Sequence, residues 1–522
     1  MRLRTTLISL LIIFLTGCAG ATTAAPLSVA DIYLVTANPN ATSTPTPFQP
    51  LLPTDTPTAL PPTDTTTPLP PTLTPLPSAT SLPPTATQPP ATPQPVSHTQ
   101  YLLFVTMDYA GHSLSVDQQT AFTNHSTDTL YELVLAVEPN FWSGGFNLRQ
   151  LSVNGGLANY TLDSHRLTVS LPQPLPPEGS ILLALSYDLY LPFKSSGLVY
   201  GYTDQQANLV DWFPFIVPYK AGVGWILHDV YPWGENLVYE ASDFEVNLRF
   251  TDQDQPVVAA SAPAEAVNGW TRYRLYSART FTISMSPYYL ISTEYADGGI
   301  PVNSYYFSGD DWGGQAVATR GAQAISVYAS KFGPYPHSSL SVVETSLPDG
   351  MEFDGLVFIS SQFYTHFDGT YANNLTVIGV HEIAHQWWFG LVGNDQTLEP
   401  WLDEAMAVYS EHIFFENTNP GLVTWWWNTR VNYYEPYGKV DTSVYNGGSF
   451  RTYTNAVYLE GAYFIDAVRS RVGDDAFFAF LQDYASQMGH KIATADDWFR
   501  ILRAHTNVDI SDIISKYFQY PH

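Results

Sequence analysis

His381-Glu382-Ile383-Ala384-His385 lies inside an apolar run whose spacing predicts a helix over 375–391. Residues four apart share one helix face, so both imidazoles can reach a single metal ion. Zinc takes histidine nitrogen at about 2.0–2.1 Å. Glu382 is rotated roughly 100° from His381 by helix geometry and faces water beside the metal instead of the metal itself. The next predicted helix opens with Trp401-Leu402-Asp403-Glu404, which puts Glu404 nineteen residues after His385. A short loop between the two helices returns that carboxylate to the histidine face. Two histidines and one glutamate leave a fourth position open, the arrangement of a catalytic zinc site with one ion.

Outward from this pair the pattern stays helical. Helices are predicted over 315–332, closed by Gly333-Pro334, and over 401–415, 456–472, 476–488, 495–505 and 510–518. Short strands are predicted at 339–344 and 356–359. Before residue 290 the period is two. Phe244, Val246, Leu248 and Phe250 share one face, as do Phe281, Ile283 and Met285. Further strands are expected at 116–122, 130–137, 166–171 and 181–191, separated by turns such as Asn154-Gly155-Gly156 and Pro176-Pro177-Glu178-Gly179. The fold class is therefore α+β: an antiparallel β domain over 99–290, then a mainly helical domain over 291–522.

Composition sets the outer limits. The 522 residues carry 21 Lys+Arg against 48 Asp+Glu, a net charge of −27. A nucleic-acid partner is excluded, because it needs a basic footprint to displace counterions. The acidic surface keeps the chain in solution, and a preference for cationic substrates is the sharper reading. One cysteine, Cys18, rules out a disulfide framework. Only Phe14, Tyr33 and Phe48 of the aromatic residues precede residue 99, so the core belongs to 99–522.

The first 98 residues read as address and tether. Arg2 and Arg4, an apolar run from Leu7 to Leu15, and small residues before a cut site make a secretory signal over 1–18. Leu15-Thr16-Gly17-Cys18 resembles the bacterial lipobox, in which the cysteine sulfur carries diacylglycerol. Two or more acyl chains anchor stably where one does not. Residues 41–95 hold 18 Pro and 16 Thr, too little apolar surface to offset the entropy of ordering. The stretch 19–98 is expected to be a disordered tether. The body is then extracytoplasmic and attached through Cys18 to a bacterial membrane or envelope.

The zinc motif with its surroundings resembles the gluzincin aminopeptidases, the family of membrane alanyl aminopeptidase and leukotriene-A hydrolase. The resemblance rests on His381-Glu382-x-x-His385, with eighteen intervening residues before Glu404, and the flanking Gln386-Trp387-Trp388 and Trp401-Leu402-x-Glu404. It extends to Gly350-Met351-Glu352, similar to the family's Gly-x-Met-Glu-Asn strand, and Tyr458-Leu459-Glu460-Gly461, similar to its Tyr-Glu-Lys-Gly segment. It implies a saddle-like N-terminal β domain and a thermolysin-like catalytic domain. It also implies a substrate-binding strand of Gly350, Met351 and Glu352, with Glu352 on the free amine, and Tyr458 on the oxyanion. Peptides or proteins are the implied substrates. Glu411, seven residues after Glu404, either orients a zinc ligand or is a surface carboxylate.

Three departures stand out. Phe353 occupies the family's Asn position. The usual Phe-Pro-Cys-x-Asp-Glu-Pro segment is absent, with Trp212-Phe213-Pro214 near where it would fall. The sequence ends at His522, so the large C-terminal helical domain of many members is expected to be missing. A zinc endopeptidase or other zinc hydrolase, and a tethered surface-binding protein with an inactive peptidase fold, remain open alternatives.

The lipobox gives a direct test. Cys18→Ala should abolish incorporation of labelled fatty acid in a bacterial host and release the body from the membrane fraction. Wild-type protein that takes up no label would remove the lipoprotein reading.

Overall fold

Leu103, Val105 and Met107 alternate with half-exposed residues along strand Thr99–Asp108. The same period of two runs through its neighbours, so one face of a large sheet is apolar. That sheet has eight strands in the order Ala264–Val267, Trp270–Ala278, Ser242–Phe250, Thr99–Asp108, Ser113–Thr123, Ser180–Tyr190, Phe146–Val153 and Gly156–Leu157. Two four-stranded sheets share its apolar core. The computed structural model describes residues 97–521. The expected signal sequence, Cys18 and nearly all of the expected tether lie outside the described residues. Among the described residues no helix is long and apolar enough to cross a membrane.

The sequence pattern predicts a purely antiparallel β domain. One pairing differs: Thr99–Asp108 runs parallel to Ser242–Phe250, with Leu103 opposite Val246. More than a hundred residues separate these strands, so no hairpin dictates their direction, and alternation alone does not distinguish the two.

A five-stranded mixed sheet joins the β layer to the helices, in the order Leu290–Ala296, Ile300–Tyr306, Leu340–Thr345, Leu356–Ser360 and Gly350–Phe353. Helix Asp311–Phe332 makes the crossover between the parallel strands Ile300–Tyr306 and Leu340–Thr345. Successive side chains alternate between two cores. Tyr305, Val343, Leu356 and Phe358 enter the β core. Val302, Val342, Val357 and Ile359 enter the helical core. Gly350–Phe353 is an antiparallel edge strand on Leu356–Ser360, with its other edge free to meet a ligand.

Two predicted helix limits change most. The first helix ends at Ala384, with His385 as its C-cap, instead of at 391. Gly390 N–H bonds the His385 carbonyl and Phe389 adopts φ 146°. The run Trp387-Trp388-Phe389 carries no breaker before Gly390, so periodicity overshoots. The helix expected over 456–472 begins earlier, as Phe450–Thr454, capped by Ser449 and Thr452. It then widens into a π-helical turn over Asn455–Leu459 before Glu460–Val472.

A buried polar lock holds the halves together. The Asp354 carboxylate accepts from Arg279 N–H at 2.9 Å, Thr280 N–H at 3.0 Å and the Thr280 hydroxyl at 3.2 Å, and lies 3.2 Å from His337 Nε2. Burial opposes its ionisation, yet His337 and Arg279 outweigh that and hold the carboxyl below its ordinary value. The Arg279 guanidinium donates to four carbonyls: Tyr239, Phe389, Leu391 and Lys491. Phe389 and Leu391 belong to the turn that follows His385, so the lock also fixes the end of the metal-binding helix.

Arg279→Met should take the guanidinium donor from four carbonyls, of which only Leu391 and Lys491 keep a backbone donor, and leave the Asp354 charge under-compensated, at a cost of about 3–5 kcal/mol. A urea midpoint equal to wild type would show that the lock does not stabilise the fold.

Candidate active site

His381 and His385 occupy the last turn and the C-cap of helix Asn374–Ala384. Asn373 starts that helix by accepting from Thr376 N–H. Glu404 sits in the first turn of Trp401–Thr418 beside Asp403, where the helix dipole favours negative charge. The three groups converge. His381 Nε2 lies 3.2 Å from His385 Nε2. Glu404 Oε2 lies 3.4 Å from the first and 3.6 Å from the second.

This triangle fits zinc. A tetrahedral ion with ligands at about 2.0–2.1 Å sets them about 3.3 Å apart. Glu404 Oε2 is buried without a hydrogen-bond partner, a costly state for a carboxylate oxygen unless a cation faces it. The ring tautomers also agree. His385 Nδ1 lies 2.9 Å from the Trp388 carbonyl, which can only accept, so Nδ1 carries the proton and Nε2 offers its lone pair. His381 Nδ1 makes the equivalent bond to Glu411 Oε1 at 2.9 Å.

Glu411 is therefore no surface carboxylate. It is fully buried two turns after Glu404. Trp426 Nε1 donates to it at 2.8 Å, and Arg430 grips both oxygens through Nε at 3.1 and 3.0 Å and Nη2 at 2.9 Å. Burial would raise its carboxyl, but Arg430 and His381 outweigh that and keep it low. Trp426 and Arg430 escaped the sequence reading. Neither the indole N–H nor the guanidinium has a local pattern that announces its partner.

Glu382, Gly350, Glu352 and Tyr458 line a cleft of about 240 Å³ with the metal-binding triangle. Glu382 is buried, and burial pushes its carboxyl up to about 8 despite the opposing His381. Gly350 makes room for it: a Cβ at that position would collide with the Glu382 carboxylate. Glu352 lies two residues along the same edge strand, with its Oε1 accepting from Gln396 at 3.3 Å. Its carboxylate comes within 4.8 Å of Glu382 and His385, and of Glu404. Met351, between them, points to the opposite side and lines a second cavity. Tyr458 comes from the π-helical turn and lies parallel to the His381 ring, with centroids 6.3 Å apart. Burial and the nearby Glu404 hold its phenol well above the ordinary value, so its hydroxyl stays a donor at neutral pH.

A glutamate in the cleft was missed as well. Glu235 stands within 4.8 Å of Glu352 and Glu404, on the irregular segment between strands Gly224–Trp225 and Ser242–Phe250. Trp212-Phe213-Pro214, the segment singled out near this region, is core: Trp212 is fully buried and donates to the Phe281 carbonyl. Phe353 is buried against Phe358 and faces the β core. A lone glutamate after Gly234 in a loop has no periodic signal; only the chain's return to the cleft reveals it.

Comparison with known proteins agrees with this geometry. Residues 318–517 match the family model of the peptidase family M1 domain. Aminopeptidase M1-C of Oryza sativa subsp. japonica is 22% identical over 248 residues, 42% of this chain and 27% of that protein. Aminopeptidase N of Lactobacillus helveticus is 27% identical over 156 residues, 28% of this chain and 18% of that protein. The matched region thus spans about a quarter or less of these relatives' length. The fold is that of an M1 zinc metallopeptidase from Deinococcus radiodurans, with a TM-score of 0.59 at 17% identity, over 83% of this chain and 95% of that one. A mutant of that enzyme bound to a Tyr-Ser-Ala substrate superposes with a TM-score of 0.58 at 17% identity, over 82% and 96%.

Glu411→Ala should leave His381 able to rotate and its Nδ1 unpaired, weakening zinc affinity about 10- to 100-fold. Competition with a calibrated chelator measures this. An unchanged affinity would mean that Glu411 does not hold His381 in place.

Proposed function

We propose that this chain, whose residues 318–517 match the peptidase family M1 domain, is a zinc aminopeptidase. One observation carries the choice of aminopeptidase. Two carboxylates, the buried Glu352 and the half-buried Glu235, stand beside the His381–His385–Glu404 triangle, and among the described residues no Lys or Arg pairs with either. Such a pair suits a substrate's ammonium group. Binding the amine there sets the first peptide bond over the metal position, so the N-terminus measures the cut.

His381, His385 and Glu404 hold the ion. Bound zinc polarises the scissile carbonyl and makes water more acidic. Glu382 takes a proton from the attacking water on its carboxylate and passes it to the leaving nitrogen. The Tyr458 hydroxyl donates to the oxygen on which negative charge develops, a contact typically worth about 100- to 1000-fold in rate. Gly350 keeps Glu382 close to the scissile bond, and Glu411 fixes His381 through Nδ1. The Leu15-Thr16-Gly17-Cys18 tetrad and the Pro/Thr-rich stretch support a further reading, in which the enzyme works outside the cytoplasmic membrane on a lipid tether.

Blocking the amine tests the proposal. A charge-assisted contact contributes about 1.5–3 kcal/mol, so N-acetylation of a peptide should slow cleavage roughly 10- to 150-fold. Glu352→Ala should narrow that gap while zinc content stays stoichiometric. Acetylated peptides cut at internal bonds as fast as free ones are trimmed would replace this reading with an endopeptidase.

A further inference from the structure

A second cavity of about 180 Å³ lies behind the two amine-binding carboxylates and shares Gly234, Glu235 and Glu352 with the active cleft. Its walls are largely apolar, with Val210, Leu237, Met351 and Phe389 among them. Its polar groups are mostly acidic. Beyond Glu235 and Glu352 come Asp211 and Glu138, and among the described residues that line it there is no Lys, Arg or His. We propose that this cavity receives the side chain of the substrate's first residue and selects a cationic one, with Asp211 as the specificity-determining carboxylate. The proposal rests on the aminopeptidase reading, since a free N-terminus held by Glu235 and Glu352 is what directs that side chain here.

The two deeper carboxylates differ in their compensation. Glu138 already pairs with His165 Nδ1 at 2.7 Å. Asp211 receives a hydrogen bond from the Tyr239 hydroxyl at 2.9 Å and faces no cationic side chain in the cavity. Burial, and then the field of Glu138, pushes its carboxyl up to about 7, as expected of an anion without a countercharge. On the cleft side, Glu235 Oε2 is buried with no hydrogen-bond partner. An aliphatic stem ending in a positive group satisfies both features, because lysine and arginine bury their methylenes along apolar surface and keep the charged tip on a polar partner. The net charge of −27 attracts such substrates at long range.

Norleucine isolates the charge, since it keeps the lysine stem and lacks the ammonium. With the zinc-loaded full chain, kcat/KM for Lys-Ala-Ala should exceed that for norleucyl-Ala-Ala roughly 10- to 150-fold, and Glu-Ala-Ala should be the poorest of the three. Asp211→Asn should bring the first ratio close to one. Asn tolerates the left-handed backbone of Asp211, at φ 46°, and can still accept from Tyr239. Glu382→Gln protein adds a readout without turnover: by calorimetry it should bind Lys-Ala-Ala more tightly than the norleucyl peptide by a similar factor. If Asp211→Asn does not fold, the wild-type ratio and this binding difference still decide the matter. Equal or reversed preference for norleucine, or a lysine preference that survives in Asp211→Asn, overturns the inference while sensitivity to acetylation keeps the aminopeptidase reading. Acetylated lysyl peptides cut as readily as free ones overturn both.

Discussion

Glu404 is a buried carboxylate whose Oε2 faces two imidazole nitrogens and no hydrogen-bond donor on a neighbouring backbone. Removing such a charge from water costs several kcal/mol unless an opposite charge meets it. The surrounding structure is arranged around that requirement. His381 and His385 turn their lone pairs toward Glu404 because the opposite ring nitrogens are engaged by Glu411 and the Trp388 carbonyl. Glu411 in turn stays ionised inside the protein because Arg430 and Trp426 occupy its oxygens. The chain of compensation runs outward from one carboxylate until it reaches groups that touch solvent.

The same logic joins the two halves. A five-stranded sheet with apolar side chains on both faces must be covered on both, and here the β layer covers one face while the helices cover the other. Its edge strand Gly350–Phe353 carries Glu352 to the metal position and Met351 to the cavity behind. Arg279 reaches from the β layer into the turn after His385 and fixes its carbonyls. The substrate cleft thus forms where the layers meet, with Glu235 supplied by one and Glu352 by the other. Each half alone would lack one of the two carboxylates that stand beside the metal-binding triangle.

Local patterns carried the metal-binding residues because their chemistry is set by helix geometry. Four-residue spacing places two histidines on one face, and a carboxylate in the first turn of the next helix returns to it across the connection 385–400. Period-two alternation likewise revealed the β layer. The same patterns overran at Gln386–Leu391, where an apolar run masks a turn, and missed the π-helical turn that presents Tyr458. Hydrophobic spacing reports which face is buried; it does not report where a backbone hydrogen bond shifts by one residue.

The sequence by itself determined the three convergent metal-binding side chains, the candidate base Glu382 beside them, and an α+β order with strands first and helices after. Each follows from interactions within one or two adjacent elements. Only the tertiary structure decided that Glu411 is buried on His381, that Arg279 and Asp354 lock the layers, that Glu235 lines the active cleft and that Asp211 lines the cavity next to it. Helix spacing singled out Glu411 but left its partner open, and the Arg279 contacts reach as far along the chain as Lys491. Glu235 and Asp211 lie on irregular segments that nothing periodic marks, because their neighbours are chosen by how the layers pack and not by how any one segment folds.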